Sequence, residues 1–280
     1  MKRFLAQGGL GNQLFILAAA IVSTHLLSEK VQVLTLKNRE DSILELGMCG
    51  NVDIREAIVA EKLYQVASIM SHRYPNQNLT KVLSKWIQIS PNTHSEFSRN
   101  DLRLGKYFVG FFQHHLIAEK AWQFLEPVIE SQISKYQAGV NRIVQEDTYS
   151  VLHIRRGDYI LNRENFGILS YEYYEQLLPK MELPIIISTD DESFVAKLQK
   201  KFTGTKVLGP NSLSAWEALT LMCNATFLVT ANSTLSWWAS FYLNKRSRHS
   251  FIPNPWFKQS KIEGPQLFYP NARLVRSIFE

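Results

Sequence analysis

The chain has 280 residues, 45% of them apolar and 12% aromatic, which is enough for one large core or two of modest size. Two cysteines, Cys49 and Cys223, lie far apart and in no CxxC, which argues against a disulfide framework or a zinc knuckle and points to a reducing cytoplasm. The formal charge of +6 suits an anionic partner, whether nucleic acid, membrane surface or phosphorylated substrate, and does not choose among them.

Lys2–Ala6 reads as a strand, Leu10–Leu27 as a helix and Val31–Leu36 as a second strand, one βαβ unit at the start of the chain. Gln7, the glycines and Asn12 break the early apolar run, so no signal peptide is expected. The run Leu14–Val22 is shorter than the roughly 20 residues of a membrane-spanning helix, and the chain reads as soluble. From Asn38 to Glu146 the pattern is helical or irregular, with one strand at Tyr107–Phe112.

The second half has a regular rhythm. Strands are expected at Tyr149–Ile154, Pro184–Thr189, Thr205–Leu208, Thr226–Ala231 and His249–Pro253, with helices at Tyr171–Met181, Glu192–Phe202, Ala215–Asn224 and Leu235–Leu243 between them. Ser214 and Glu217 have the spacing of a capping box, and Asp190-Asp191 sits at a helix entrance, where carboxylates complement the dipole. Alternating β and α segments imply parallel sheets covered on both faces, which bind ligands beyond the carboxyl ends of their strands. The expected boundary lies near 145–150, giving domains 1–147 and 148–280, with a helix-like closing segment able to cross back to the first half. Seven Lys or Arg against two Glu between Asn244 and Glu280 form a basic stretch, either a solvated face or a membrane-surface patch.

Four segments carry the chemistry. His153-Ile154-Arg155-Arg156-Gly157-Asp158-Tyr159 stands where a strand meets a loop. An Arg pair there can grip a diphosphate through charge-assisted hydrogen bonds, in place of a metal, or can be a surface Arg–Asp ion pair. Gly8-Gly9-Leu10-Gly11-Asn12-Gln13 joins the first strand to the first helix. It is either a tight turn or an anion site at a helix N-terminus, and its spacing is neither GxGxxG nor a P-loop. Asp190 and Asp191 follow Ser188-Thr189 and can accept from ribose or guanine, or cap the next helix; no metal is expected, because the acids are adjacent and lack further ligands. Asn232-Ser233-Thr234 offers an amide and hydroxyls at a helix start, to phosphate or simply as a cap, with Trp237 and Trp238 better read as core. His114 and His115 read as surface or satisfied histidines.

Together, GGLGNQLF (8–15), GFFQ (110–113), HIRRGDY (153–159), LSYEYYEQLL (169–178), STDD (188–191) and ANSTLSWWASFYL (231–243) resemble the bacterial α-1,2-fucosyltransferases of glycosyltransferase family 11, across nearly the whole chain. HIRRGDY is similar to a motif shared by several fucosyltransferase families, whereas GGLGNQ with ANSxxSWW narrows the match. Ile16, Leu17 and Phe194 depart from the family pattern.

The resemblance implies an α/β, GT-B-like fold of two Rossmann-like domains facing across a cleft. It also implies GDP-fucose as donor, no cofactor and no metal, and inversion during transfer to the 2-hydroxyl of a galactose-terminated glycan. Arg155 and Asp158 would then be catalytic, Arg155 on the β-phosphate and Asp158 near the fucose. His153, Asp190, Asp191, Asn232, Ser233, Thr234, Gly9, Gly11 and Asn12 would bind the donor. Asp158 leads as general base, ahead of Glu164 and His25. The acceptor, lipid-linked or free, would be chosen by residues 38–100. A family member working in O-antigen synthesis would act in the cytoplasm, in peripheral contact with the membrane and with no nucleic-acid partner. The alternatives are another fucosyl or deoxyhexosyl transfer, or a nucleotide-sugar or glycan-binding protein without catalysis.

Overall fold

The computed structural model describes residues 1–36, 42–57, 62, 87–89, 102, 106–202, 204–259 and 266–280. The chain divides into two compact α/β units, Met1–Glu130 with Pro265–Leu267, and Ser131–Gly264 with Phe268–Glu280. The expectation of an α/β fold with Rossmann-like units is met. Most of residues 38–100, where acceptor choice was expected, lie outside the described residues.

The first unit is built on a sheet of β1 (Lys2–Leu5), β2 (Val31–Thr35), β3 (Met48–Cys49), β4 (Val52–Glu56), β5 (Ile87–Ile89) and β6 (Tyr107–Val109). Their order is β3-β4-β2-β1-β6-β5, parallel except for the β3–β4 pair. Three of these strands, β3 to β5, fall where sequence reading expects helix or irregular chain. In β4, Val52 and Ile54 do alternate as buried residues, but Asp53, Arg55 and Glu56 between and after them hide a strand whose packing is set by its parallel pairing with β2.

Helix α1 (Leu10–Leu27) has 14 of its 18 residues buried, and by length and composition it is apolar enough to cross a membrane. The uninterrupted apolar run Leu14–Val22 is only its middle. In the fold its apolar side chains are buried inside the structure, covering the sheet that β1 and β2 form. Helix α2 (His115–Val144) is 30 residues long and carries Pro127; the division between the units falls within it.

The second unit is a six-stranded, all-parallel sheet of β7 (Ser150–Ile154), β8 (Ile185–Thr189), β9 (Thr205–Leu208), β10 (Phe227–Val229), β11 (His249–Asn254) and β12 (Arg273–Arg276), ordered β12-β11-β10-β7-β8-β9. Every residue of β7 and β8 is buried, as strands covered on both faces must be. The closing segment, read as helix-like from its sequence, is instead β12, in parallel register with β11 from Phe251↔Arg273 to Asn254↔Arg276. Its alternation is faint because β12 is an edge strand, whose residues are mostly exposed.

Helices α3 (Tyr171–Glu175), α4 (Glu192–Lys201), α5 (Ala215–Asn224) and α6 (Thr234–Lys245) follow the sequence pattern, with one exception. The helix expected over 171–181 stops at Glu175 and resumes as a 3-10 turn, Leu178–Lys180, around Pro179. Proline has no N–H to give and its ring crowds the preceding turn.

The strand orders place the ligand edges. In the second unit the chain moves outward from β7 through β8 to β9, then returns to the other flank of β7 as β10. In the first, β1, β2 and β4 run one way and β6 lies on the other flank of β1. Each reversal is a topological switch point, where diverging loops open a crevice. The loops bordering these crevices are those after β7 and β10, and those after β1 and β6, and they hold the HIRRGDY, ANST, GGLGN and GFFQHH segments.

Ser214 caps α5 through the expected reciprocal box: its side chain accepts from the Glu217 amide, and Glu217 accepts from the Ser214 amide. Ser214→Ala is therefore expected to cost about 1 kcal/mol of stability, measured as a lower urea midpoint at unchanged slope.

Candidate active site

At the second unit's switch point the two consecutive arginines do different jobs. Arg156 is 11% exposed and built into the scaffold. Its Nε donates to Asp191 at 3.0 Å, and its two terminal nitrogens grip the Glu280 carboxylate at 2.7 and 3.2 Å. The Phe194 ring lies 4.0 Å from the guanidinium carbon, a stacking contact. Arg155 is 39% exposed and is held from both sides, by Asp158 at 2.9 Å and Asp190 at 3.0 Å. Its guanidinium is oriented and open to solvent, and five donors against two carboxylates leave it capacity for a phosphate.

Asp190 and Asp191 also divide their work. Asp190 accepts the Arg156 amide at 2.7 Å and faces Arg155, which fixes the turn that presents it. Gly157 makes this approach possible, since a Cβ there would lie 2.9 Å from the Asp190 carboxylate. Asp191 is the N-cap of α4, accepting from the Phe194 amide at 3.1 Å and the Ser193 hydroxyl at 2.6 Å. Burial by itself would raise its pKa, but the bonds from Ser193, Phe194 and Arg156 outweigh it and hold the carboxyl below its usual range. Among the described residues no three His, Cys, Asp or Glu are grouped to hold a metal ion.

His153 lies on β7, 7% exposed, and its Nδ1 has no hydrogen-bond partner. Burial, with the neighbouring Arg155 charge, pushes its pKa down to about 4 against a smaller pull from Asp190. The ring is thus neutral near pH 7, with its buried Nδ1 left without a partner.

Across the crevice, Tyr159 donates its hydroxyl to the Asn232 carbonyl at 2.9 Å, tying the loop after β7 to the loop after β10. Asn232 is fully buried and its side-chain nitrogen is shared among the carbonyls of Phe166, Gly167 and Trp256, at 3.2 to 3.3 Å. That geometry makes Asn232 a brace for the loop. Ser233 is the N-cap of α6 yet makes no side-chain capping bond, and Thr234 opens the helix half-buried. A helix start whose cap hydroxyl is not spent on its own amides is suited to anions. Trp237 and Trp238 are buried in the core, Trp237 stacked on Phe241 at 5.1 Å.

The first unit has its own polar edge. Gly8 holds φ +72°, and a Cβ there would strike the Asn12 side chain, so glycine is needed to fold the turn onto α1. Gly9 is the N-cap of α1 and gives its amides no side-chain partner, while Gly11 is buried in the first turn. Gln13 locks the turn from beneath, donating to the Gly8 carbonyl at 3.1 Å while its Oε1 accepts from Ser42 and Ile43. Asn12 accepts from Gln113 at 2.8 Å, which joins the loops after β1 and β6.

Phe112, at φ +52°, is a bulky residue in the left-handed region; its ring packs edge-on against Phe4. His115 gives both its amide and its Nδ1 to the Gln266 carbonyl, at 2.7 and 2.8 Å. A carbonyl only accepts, so Nδ1 carries a proton in this bond. The sequence offers His115 only as one of two surface or satisfied histidines; the bond that protonates Nδ1 comes from a carbonyl 151 residues away. His25 lies in the last turn of α1, at about 1.5 Å per residue some 24 Å from the glycine turn, and stacks on Phe124. Glu164 is exposed beside Arg163 and Lys258.

Two outcomes follow from these contacts. Arg156→Lys keeps the charge but loses the fork and the stacking, and is expected to lower stability by about 1.5–3 kcal/mol in chemical denaturation. The unfolded chain protonates His153 near pH 6.5 and the folded chain only near 4, so this group's stabilising contribution is complete above 6.5 and falls away as pH drops towards 4. His153→Gln should flatten that limb by up to about 3 kcal/mol in a pH series of unfolding curves.

The chain is similar to known proteins over most of its length. Residues 57–267 match the model of the family described as glycosyl transferase family 11. An alpha-1,2-colitosyltransferase of Escherichia coli is 24% identical, covering 91% of this chain and 92% of the relative. The O-antigen biosynthesis glycosyltransferase WbnK, also of Escherichia coli, is 25% identical over 89% and 93%. In fold, the Escherichia coli heptosyltransferase WaaC, solved with ADP, superposes with a TM-score of 0.52 at 9% identity, covering 99% of this chain and 93% of the other, and the architecture is that of GT-B glycosyltransferases. With the family model covering most of the chain, this protein belongs to glycosyl transferase family 11 and is a glycosyltransferase.

Proposed function

We propose that this glycosyltransferase moves L-fucose from GDP-fucose to the 2-hydroxyl of a galactose residue in a glycan, with inversion at the anomeric carbon. The observation that carries the reading is Arg155, oriented by two carboxylates and open to solvent at the switch point, beside a helix start whose cap hydroxyl is unspent. Arg155 takes the β-phosphate by charge-assisted hydrogen bonds, and Ser233 and Thr234 add donors from the start of α6. In this reading Gly9, Gly11 and Asn12, at the start of α1, give the first unit an anion-binding edge of its own.

Negative charge grows on the leaving diphosphate as the sugar–phosphate bond breaks. Donors already in place are worth most at that moment, since they need no reorganisation. His153, neutral and buried, sits behind this point and accepts or donates a hydrogen bond without adding charge. Asp158 orients Arg155 in the free enzyme; once the diphosphate takes over that guanidinium, the carboxylate is released to accept the proton of the attacking hydroxyl. Asp190 keeps Arg155 in place from the other side, and Asp191, the cap of α4, holds the loop from which the pair would meet ribose or guanine. The acceptor is a galactose-terminated glycan, lipid-linked or free. The buried thiols of Cys49 and Cys223, both unpaired, fit a reducing cytoplasm, where we place the reaction.

A second reading shares the site and changes the donor. The relative named as an alpha-1,2-colitosyltransferase favours transfer of colitose, which is fucose without its 3-hydroxyl. Rates with the two GDP-sugars separate the readings, because a site that hydrogen-bonds a sugar hydroxyl rejects the analogue lacking it.

The decisive assay incubates the protein with GDP-fucose and a β-galactoside in EDTA and reads the product linkage by two-dimensional NMR. An α-1,2-linked fucose is expected. Release of GDP without transfer would leave the acceptor open, and no turnover with any GDP-deoxyhexose would overturn the reading. Arg155→Ala should lower kcat by ~10²–10³-fold, the loss of about 2.7–4 kcal/mol found when one such donor is removed, with acceptor KM little changed. Near-normal turnover in that variant would remove Arg155 from the phosphate. Asp158→Asn should lower kcat by ~10²-fold or more if the carboxylate takes the proton.

A further inference from the structure

The second unit has a cavity that the transfer reaction does not use. It measures about 260 Å³ and is lined by Arg248, His249 and Arg273, with Asn244 and Asn271. No carboxylate lines it. Its floor is a fixed hydroxyl network, in which buried Ser240 bonds Ser250 and Tyr269, both at 2.6 Å.

The cavity stands at the edge of the sheet opposite the donor loops. His249 opens β11 in register with Phe227 of β10, which is paired with Ser150 at the start of β7. Arg155 lies five residues further along, about 16 Å down the strand direction. A nucleotide held at Arg155 therefore does not occupy this cavity. Its volume is below the roughly 300–1,000 Å³ of sites that hold whole small molecules, so it takes a headgroup-sized ligand.

The charges mark that ligand as an anion. Elsewhere in this unit Arg155, Arg156, Arg163 and Lys258 each stand within 4.0 Å of a carboxylate. Arg248 and Arg273 have no such ion pair among the described residues. The end of α6 that reaches the cavity would repel an anion through its carbonyls, but the amides of Arg246 and Arg248 cap the Leu243 carbonyl and blunt that field. Two guanidinium forks beside an imidazole and two amides match the oxygens of a phosphate.

We infer that this cavity is a second anion site, which binds a phosphate or diphosphate group independently of the donor. A phosphate carried by a lipid and one free in solution share this chemistry.

The test titrates inorganic pyrophosphate into the isotope-labelled protein and follows its backbone amides by NMR. Saturable shifts are expected at Asn244, Arg248–Ser250 and Asn271–Arg273, and Arg248→Ala with Arg273→Ala should weaken them at least tenfold. Both side chains are exposed and outside the donor site, so the double variant should keep its melting temperature and its transferase activity. Shifts confined to the Arg155 edge, or unchanged in the double variant, would overturn the inference. Co-sedimentation with phosphatidylglycerol vesicles tells the sources apart: pelleting that the double variant loses marks a lipid phosphate, and amide shifts without pelleting mark a soluble one. Neither shifts at these residues nor pelleting that depends on the two arginines would leave the cavity without a ligand and the inference refuted.

Discussion

The second unit depends on how one short turn disposes of two adjacent positive charges. Arg156 is drawn inward, where Asp191, Glu280 and the Phe194 ring satisfy its fork, charge and flat face. That inward commitment leaves Arg155 pointing out, and Asp190 then holds the turn by its backbone and the outward guanidinium by its side chain. A single carboxylate therefore links scaffold to site. It can come so close only because Gly157 has no Cβ. Burying one arginine with full partners is the condition for presenting the other, since an unpaired buried guanidinium would cost several kcal/mol.

The first unit solves a related problem with neutral groups. A left-handed glycine at Gly8 folds the loop after β1 onto α1, and the buried amide of Gln13 fastens it from below to Ser42 and Ile43. The loop after β6 is brought to the same edge by Phe112 in a conformation that costs a bulky residue free energy, held there by its packing on Phe4. Gln113 then meets Asn12, and His115 is fixed by its Nδ1 bond to a backbone carbonyl. Both units thus carry polar loops on the carboxyl edge of a parallel sheet, at the point where strand order reverses.

Much of this was legible in the sequence. The βα rhythm of the second half, the capping box at Ser214 and the six motif segments mark out the elements and the loops that border each crevice. Local signals sufficed there because caps, turns and buried parallel strands are written in neighbouring residues. Short strands in the first half escaped notice: β4 interleaves its buried Val52 and Ile54 with charged residues, and β12 is an edge strand with little to bury. Pro179 shortened a helix that periodicity alone would have continued.

The division of labour within the site belonged to the tertiary structure. Spacing alone presents Arg155 and Arg156, Asp190 and Asp191, or Asn232, Ser233 and Thr234 as equivalent neighbours, since it cannot tell which of two adjacent side chains faces inward; only the family resemblance singled out Arg155. Packing decided it: Arg156 meets Glu280, 124 residues away, and Asn232 spends its amide on carbonyls 24 to 66 residues away. The sequence determined which residue types stand where strands end. Contacts between residues far apart along the chain, which no local pattern encodes, decided which of them are spent on holding the fold and which are left to meet a ligand.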